Sequence, residues 1–70
     1  MNLCEAEKGT YEIKELNTDD AEVETFLFRL GCYPGEKITL LSKKRNNCVI
    51  VIKDGRYALD SVLAESIIVL

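Results

Sequence analysis

Histidine is absent from all 70 residues, proline occurs once and glycine four times. Without an imidazole the chain lacks the side chain that most often serves as a base near neutral pH. No Gly-rich phosphate loop precedes a helix, and no Ser or Cys has a recognisable catalytic partner. Ser61 and Ser66 read as capping and strand residues. Catalysis therefore has little footing, and the chain reads as a non-enzyme. The three cysteines, Cys4, Cys32 and Cys48, are widely separated and form no Cys-x-x-Cys pair. That spacing argues against a structural zinc site and fits reduced thiols in a cytosolic core. A basic excess is missing too: nine Lys and Arg stand against twelve Asp and Glu, a net charge of −3, which opposes nucleic-acid binding. The one basic cluster, Lys43, Lys44 and Arg45, reads as a solvated turn. Met1 to Lys8 has no signal-peptide character, and no apolar run reaches the length of a membrane span. A cytoplasmic protein without direct membrane insertion is expected.

What is present is a 47% hydrophobic chain, enough to fold alone, with little stability to spare at this length. Residues 1–9 read as a short lead-in. Thr10 to Leu16 alternates Tyr11 and Ile13 with Glu12 and Lys14, a strand with one wet face. Asp19 and Glu22 have capping-box spacing, and Val23, Phe26, Leu27 and Leu30 then form the apolar stripe of a three-turn helix ending at Gly31. Pro34-Gly35 predicts a tight reversal. Lys37 to Lys44 and Cys48 to Lys53 predict a hairpin across Asn46-Asn47, and Asp54-Gly55 predicts a two-residue turn with both φ angles positive, returning into Arg56 to Leu59. Asp60 to Ala64 lacks strand alternation and predicts one helical turn, before Ser66 to Val69 closes the sheet. The fold class is mainly β: one domain over residues 1–70, a small closed barrel of about five strands, with a helix after the first strand and a helical turn before the last.

Two stretches are more specific. Leu27-Phe28-Arg29-Leu30-Gly31-Cys32-Tyr33-Pro34-Gly35-Glu36-Lys37-Ile38 combines a helix end, a Leu-Gly, a Pro-Gly and a strand start; near the chain's end Ala64, Ile67 and Val69 keep an A-x-x-I-x-V spacing. Together, over about Gly9 to Val69, these resemble the FeoA family, small accessory proteins of bacterial ferrous-iron uptake. The resemblance implies an SH3-like barrel, no enzymatic activity, and association with the cytosolic part of the membrane permease FeoB. Many relatives carry an Arg where this chain has Phe26, and a large aliphatic residue where it has Cys32. A docking role for that Arg does not carry over, and the nearest candidate, Arg29, lies almost a turn further along the helix.

Alternation in a small barrel leaves one side of each strand facing outward. In the strand from Cys48 to Ile52 both sets, Cys48, Ile50, Ile52 and Val49, Val51, are apolar, and Ile67, Val69 and Ile68, Leu70 repeat the pattern. The outward set, helped by Tyr33 or Tyr57, forms either a patch for a protein partner (FeoB or a second copy of the chain) or a surface covered by the helix or the lead-in. The candidate partner-binding residues are Arg29, Leu30, Gly31, Tyr33, Pro34, Gly35, Val49, Val51 and Ile68. An alternative function is a small Fe²⁺ sensor or carrier using carboxylates and thiols. Asp19, Asp20, Glu22 and Glu24 cluster at the helix start, yet acidic residues there already complement the helix dipole, so neither a metal site nor a cofactor is expected.

Overall fold

The computed structural model describes residues 1–70. In chain order its elements are a 3-10 turn (Leu3–Glu5), β1 (Gly9–Leu16), α1 (Ala21–Leu30), β2 (Lys37–Lys43), β3 (Asn47–Ile52), β4 (Gly55–Asp60), α2 (Ser61–Glu65) and β5 (Ile67–Val69). The strands form one antiparallel sheet in the order β4-β3-β2-β1-β5. The fold is mainly β, as expected. The sheet is bent by two irregularities in its ladders, one in β1 between Ile13 and Glu15 and one in β2 between Leu40 and Ser42. Each leaves an extra residue opposite the neighbouring strand, which curves the sheet around its inner face.

That inner face is where the chain's apolar alternation is spent. Ile13, Ile38, Leu40, Cys48, Ile50, Ile52, Leu59, Ile67 and Val69 are all buried in one cluster, which Leu3, Ala6, Leu27, Cys32 and Ala64 complete. In β3 the inward set is thus Cys48, Ile50 and Ile52, whereas Val49 and Val51 face outward and are half-buried. In β5 the inward residues are Ile67 and Val69, with Ile68 half-buried and Leu70 exposed.

Several local expectations are corrected. Helix α1 is capped by Asp20, not Asp19: the Asp20 carboxylate accepts from the backbone N–H of Glu22 at 2.9 Å and of Val23 at 3.4 Å. The stripe of α1 that packs on the core is Val23, Leu27 and Leu30, spaced by four and three residues, with Leu27 buried and the other two half-buried, while Phe26 at its margin is exposed. The β3–β4 turn lies one residue earlier than predicted. Its central residues are Lys53 and Asp54, and only Lys53 has a positive φ, of 54°. Gly55 pairs with Ile52 as the first residue of β4. A Cβ there would stand 2.5 Å from Cε2 and Cζ of Tyr57, so the end of that ring lies directly over this glycine. Ser61 and Ser66 take other roles than expected: Asp60 caps α2 by accepting from Leu63 N–H at 2.9 Å, and the Ser66 hydroxyl donates to the Val62 carbonyl at 3.3 Å.

The lead-in is part of the fold. Asn2 and Glu5 form a reciprocal capping box around the 3-10 turn, and this places Leu3 and Ala6 in the core. Asn2 bridges to Ile68, and the Val69 N–H donates to the Met1 carbonyl at 2.8 Å, so the two ends of the chain pair. Lys43 is not merely a solvated turn residue. Its ammonium donates to the carbonyls of Cys4 at 3.1 Å and Ala6 at 2.9 Å.

Candidate functional site

The segment after α1 is a rigid corner. Gly31 ends the helix in the left-handed region, φ 105°, and the N–H groups of Gly31 and Cys32 satisfy the carbonyls of Phe28 and Leu27. Gly35 takes φ 92° after Pro34, and its N–H donates to the Ile13 carbonyl at 2.8 Å while the Ile13 N–H donates to the Glu36 carbonyl at 2.9 Å. The corner is thereby hydrogen-bonded onto β1. From the far side the β3–β4 turn clamps it: the Lys53 stem lies so close over Gly31 that an added Cβ would stand 3.0 Å from Lys53 Cγ. The Lys53 ammonium meets Glu36 at 2.8 Å. An exposed ion pair of this kind adds less than about 1 kcal/mol, so it selects an arrangement that packing already favours.

On this frame the candidate residues divide. Tyr33 is 49% exposed and stacks on Phe28, ring centroids 4.9 Å apart and planes 8° apart. Pro34 and Gly35 are exposed beside it, while Gly31 is buried and Leu30 half-buried, supporting the corner from beneath. Arg29 takes no part in the stack. It shares a shallow surface depression on α1 with Phe26, Glu22 and Thr25, which is where a three-residue step along a helix leads.

The outward strand residues form a second surface. Val49 is paired with Ser42 and Ala58, and Val51 with Thr39 and Arg56. Ala58 and Arg56 are exposed, and Leu41, the extra residue of the β2 irregularity, adds a further exposed aliphatic side chain. Ile68 does not extend this patch. It lies in β5, paired with Glu15 of β1, and β1 and β2 separate β5 from β3.

Two residues of the corner carry no clear sign of their role in the sequence. Phe28 belongs to the helix-end motif and carries the stack; its spacing five residues before Tyr33 is the one signal that points to it. Lys53 falls at the end of a predicted strand, and only the register of the turn reveals that it covers Gly31.

For a metal the geometry offers little. Asp20 is engaged in capping α1, and no group of three or more Cys, Asp or Glu side chains is arranged to hold an ion. Burial pushes the Cys32 thiol up to about 11, opposing the thiolate form that a metal would need. No helix is long and apolar enough to cross a membrane.

Comparison with known proteins is consistent with this architecture. The FeoA domain model matches residues 1–70. An iron uptake regulatory protein, FeoA, has a solved structure with TM-score 0.84 at 23% identity, covering 99% of this chain and 93% of that one. FeoA of Stenotrophomonas maltophilia, solved with zinc and described as an SH3 domain protein and a candidate ferrous iron transport activating factor, gives TM-score 0.85 at 21% identity over 99% of this chain and 88% of that one. ScaR, solved with Cd²⁺, gives TM-score 0.86 at 26% identity, but the match covers 99% of this chain and only 34% of ScaR. No curated protein matches the chain. The SH3-like fold is therefore shared with proteins of similar length and with one part of a longer one.

Proposed function

This chain belongs to the FeoA family, and from that membership we propose that it is a cytosolic accessory protein of bacterial ferrous iron uptake that acts by binding the cytosolic part of an FeoB-type membrane permease. The observation that carries the reading is the match of the family over all of residues 1–70. The surface features favour binding over chemistry. A stacked aromatic pair, Phe28 and Tyr33, stands at a corner held by glycine caps and backbone hydrogen bonds, and an apolar face containing Val49, Val51 and Leu41 is partly open to solvent. Rigid aromatic and aliphatic groups of this kind lose little side-chain entropy on docking and supply the central contacts of protein interfaces.

Such binding alters a transport cycle only by preferring one conformation of the permease. The test is titration of the protein against the purified cytosolic part of the permease, with Tyr33→Ser and Val51→Lys as variants. Both side chains point outward, so each variant keeps the wild-type circular dichroism spectrum. At least one of the two weakens binding by roughly tenfold or more, about 1.4 kcal/mol. Wild-type affinity in both folded variants, or no binding by the parent protein, overturns the proposal.

A further inference from the structure

Cys32 and Cys48 lie toward opposite ends of β3. Cys32 follows Gly31, which Lys53 covers just beyond the strand's last residue, whereas Cys48 is the strand's first inward residue. At the Cys48 end the N-terminal turn brings in Cys4, and the two cysteines line one surface depression of about 480 Å³. Lys43 fixes their approach: it is the cross-strand partner of Cys48, and its ammonium holds the Cys4 carbonyl at 3.1 Å. The Cys4 thiol is half-buried and donates to the Ser61 carbonyl at 3.4 Å; Cys48 is 1% exposed behind it. Lys44 and Arg45 complete a basic rim to which Glu65 adds the only acidic side chain.

Two sulfurs with no third ligand do not make a metal site. Two neighbouring thiols, one accessible and one resolving, are the arrangement needed for thiol–disulfide exchange. We propose that Cys4 and Cys48 form a dithiol modification site, at which a small anionic disulfide of the glutathione class is reduced to two thiols while a Cys4–Cys48 disulfide joins the N-terminal turn to β3. In the first step the Cys4 thiolate attacks one sulfur of the small disulfide; that S–S bond breaks, the first small thiolate leaves, and a mixed disulfide forms on Cys4. In the second step the Cys48 thiolate attacks the Cys4 sulfur and expels the second small thiolate. The two cysteines together lose two electrons, the small disulfide gains them, and the two cysteine protons end on the two departing thiols. Lys43, Lys44 and Arg45 favour an anionic partner over a cationic one. Burial, the neighbouring Cys48 and Glu65 hold the Cys4 thiol above its ordinary range, against the opposing pull of Lys43, which makes the exchange slow at neutral pH and faster in alkali.

The test treats the reduced protein with glutathione disulfide, alkylates remaining thiols in denaturant, and maps the peptides by mass. The expected product has a Cys4–Cys48 link with Cys32 alkylated. Cys48→Ala stops at a glutathione adduct on Cys4, and Cys4→Ser leaves the folded protein unmodified. Cystamine, the cationic counterpart, reacts roughly threefold or more slowly at low salt, a gap that closes as salt rises. A lasting glutathione adduct on wild-type Cys4, a link that includes Cys32, or no product overturns the site; equal rates for the two disulfides overturn the preference for an anion. The wild-type mapping decides the link even where a variant fails to fold.

Discussion

Single side chains here are decided by what surrounds them more than by what they are. The three thiols are chemically identical, yet Cys4 reaches solvent while Cys32 and Cys48 are core atoms. Burial raises the Cys32 thiol from the ordinary 9.0 to about 11, so above pH 9 an unfolded chain releases this proton while the folded chain keeps it. The stability that the neutral thiol contributes is intact below pH 9 and is lost as pH rises through 11, about 2–3 kcal/mol in all. Cys32→Ala leaves a small cavity and costs about 1 kcal/mol at pH 7.5. Urea unfolding at a series of pH values should show that deficit shrinking and reversing between pH 9 and 11, because the variant has no proton to lose. A deficit that stays constant across the range contradicts the burial effect. The glycines follow the same logic: Gly31 and Gly35 are needed for their positive φ, whereas Gly55 leaves room for the end of the Tyr57 ring, and sequence spacing alone cannot separate these demands.

Elements with a strong period are legible in the order of residues alone. The alternation of β1 and the amphipathic stripe of α1 determine which residues enter the core, because a slip by one position would expose the apolar set; in β3, where both sets are apolar, only the structure shows that Cys48, Ile50 and Ile52 are the inward one. Their ends are less legible, for a physical reason: at α1 two adjacent aspartates are equally competent caps, and only backbone geometry chooses. It chooses Asp20, whose own N–H is held by the Thr18 hydroxyl at 3.1 Å. Asp20→Ala should cost about 1 kcal/mol in thermal or urea unfolding, Asp20→Asn should cost little because an amide oxygen caps as well, and Asp19→Ala should be close to neutral. If Asp20→Asn is as costly as Asp20→Ala, the carboxylate acts through its charge and the cap is not what matters. The hairpin turn departs from its predicted place by one residue because Asp-Gly is the stronger turn signal in isolation. Pairing of Ile52 with Gly55 keeps Ile52 and Leu59 on the inner face, and that burial outweighs the local preference.

For the whole molecule the least legible segment is the one that completes it. Residues 1–9 have no period, and a turn of three residues is too short to leave one; the one local signal is the capping-box spacing of Asn2 and Glu5, which says nothing of where the turn docks. The sheet nonetheless ends at two edges, β4 and β5, and a domain of this size has few side chains with which to close its core. The N-terminal segment supplies two, Leu3 and Ala6, both buried, and its hydrogen bonds tie it to Val69 of the edge strand β5 and to Lys43 of β2. Leu3 therefore behaves as core, although it lies two residues from the chain's start. Leu3→Ala should cost about 2–4 kcal/mol, which in so small a domain lowers the melting temperature by roughly 10–25 °C. The same substitution at Leu70, which is 66% exposed, should move the melt by less than about 3 °C. Comparable melts for the two variants in circular dichroism would mean that the turn detaches in solution and that the barrel closes without it. The Cys4–Cys48 link depends on the same docking, so a detached turn would also leave Cys4 too far from Cys48 to form the disulfide efficiently.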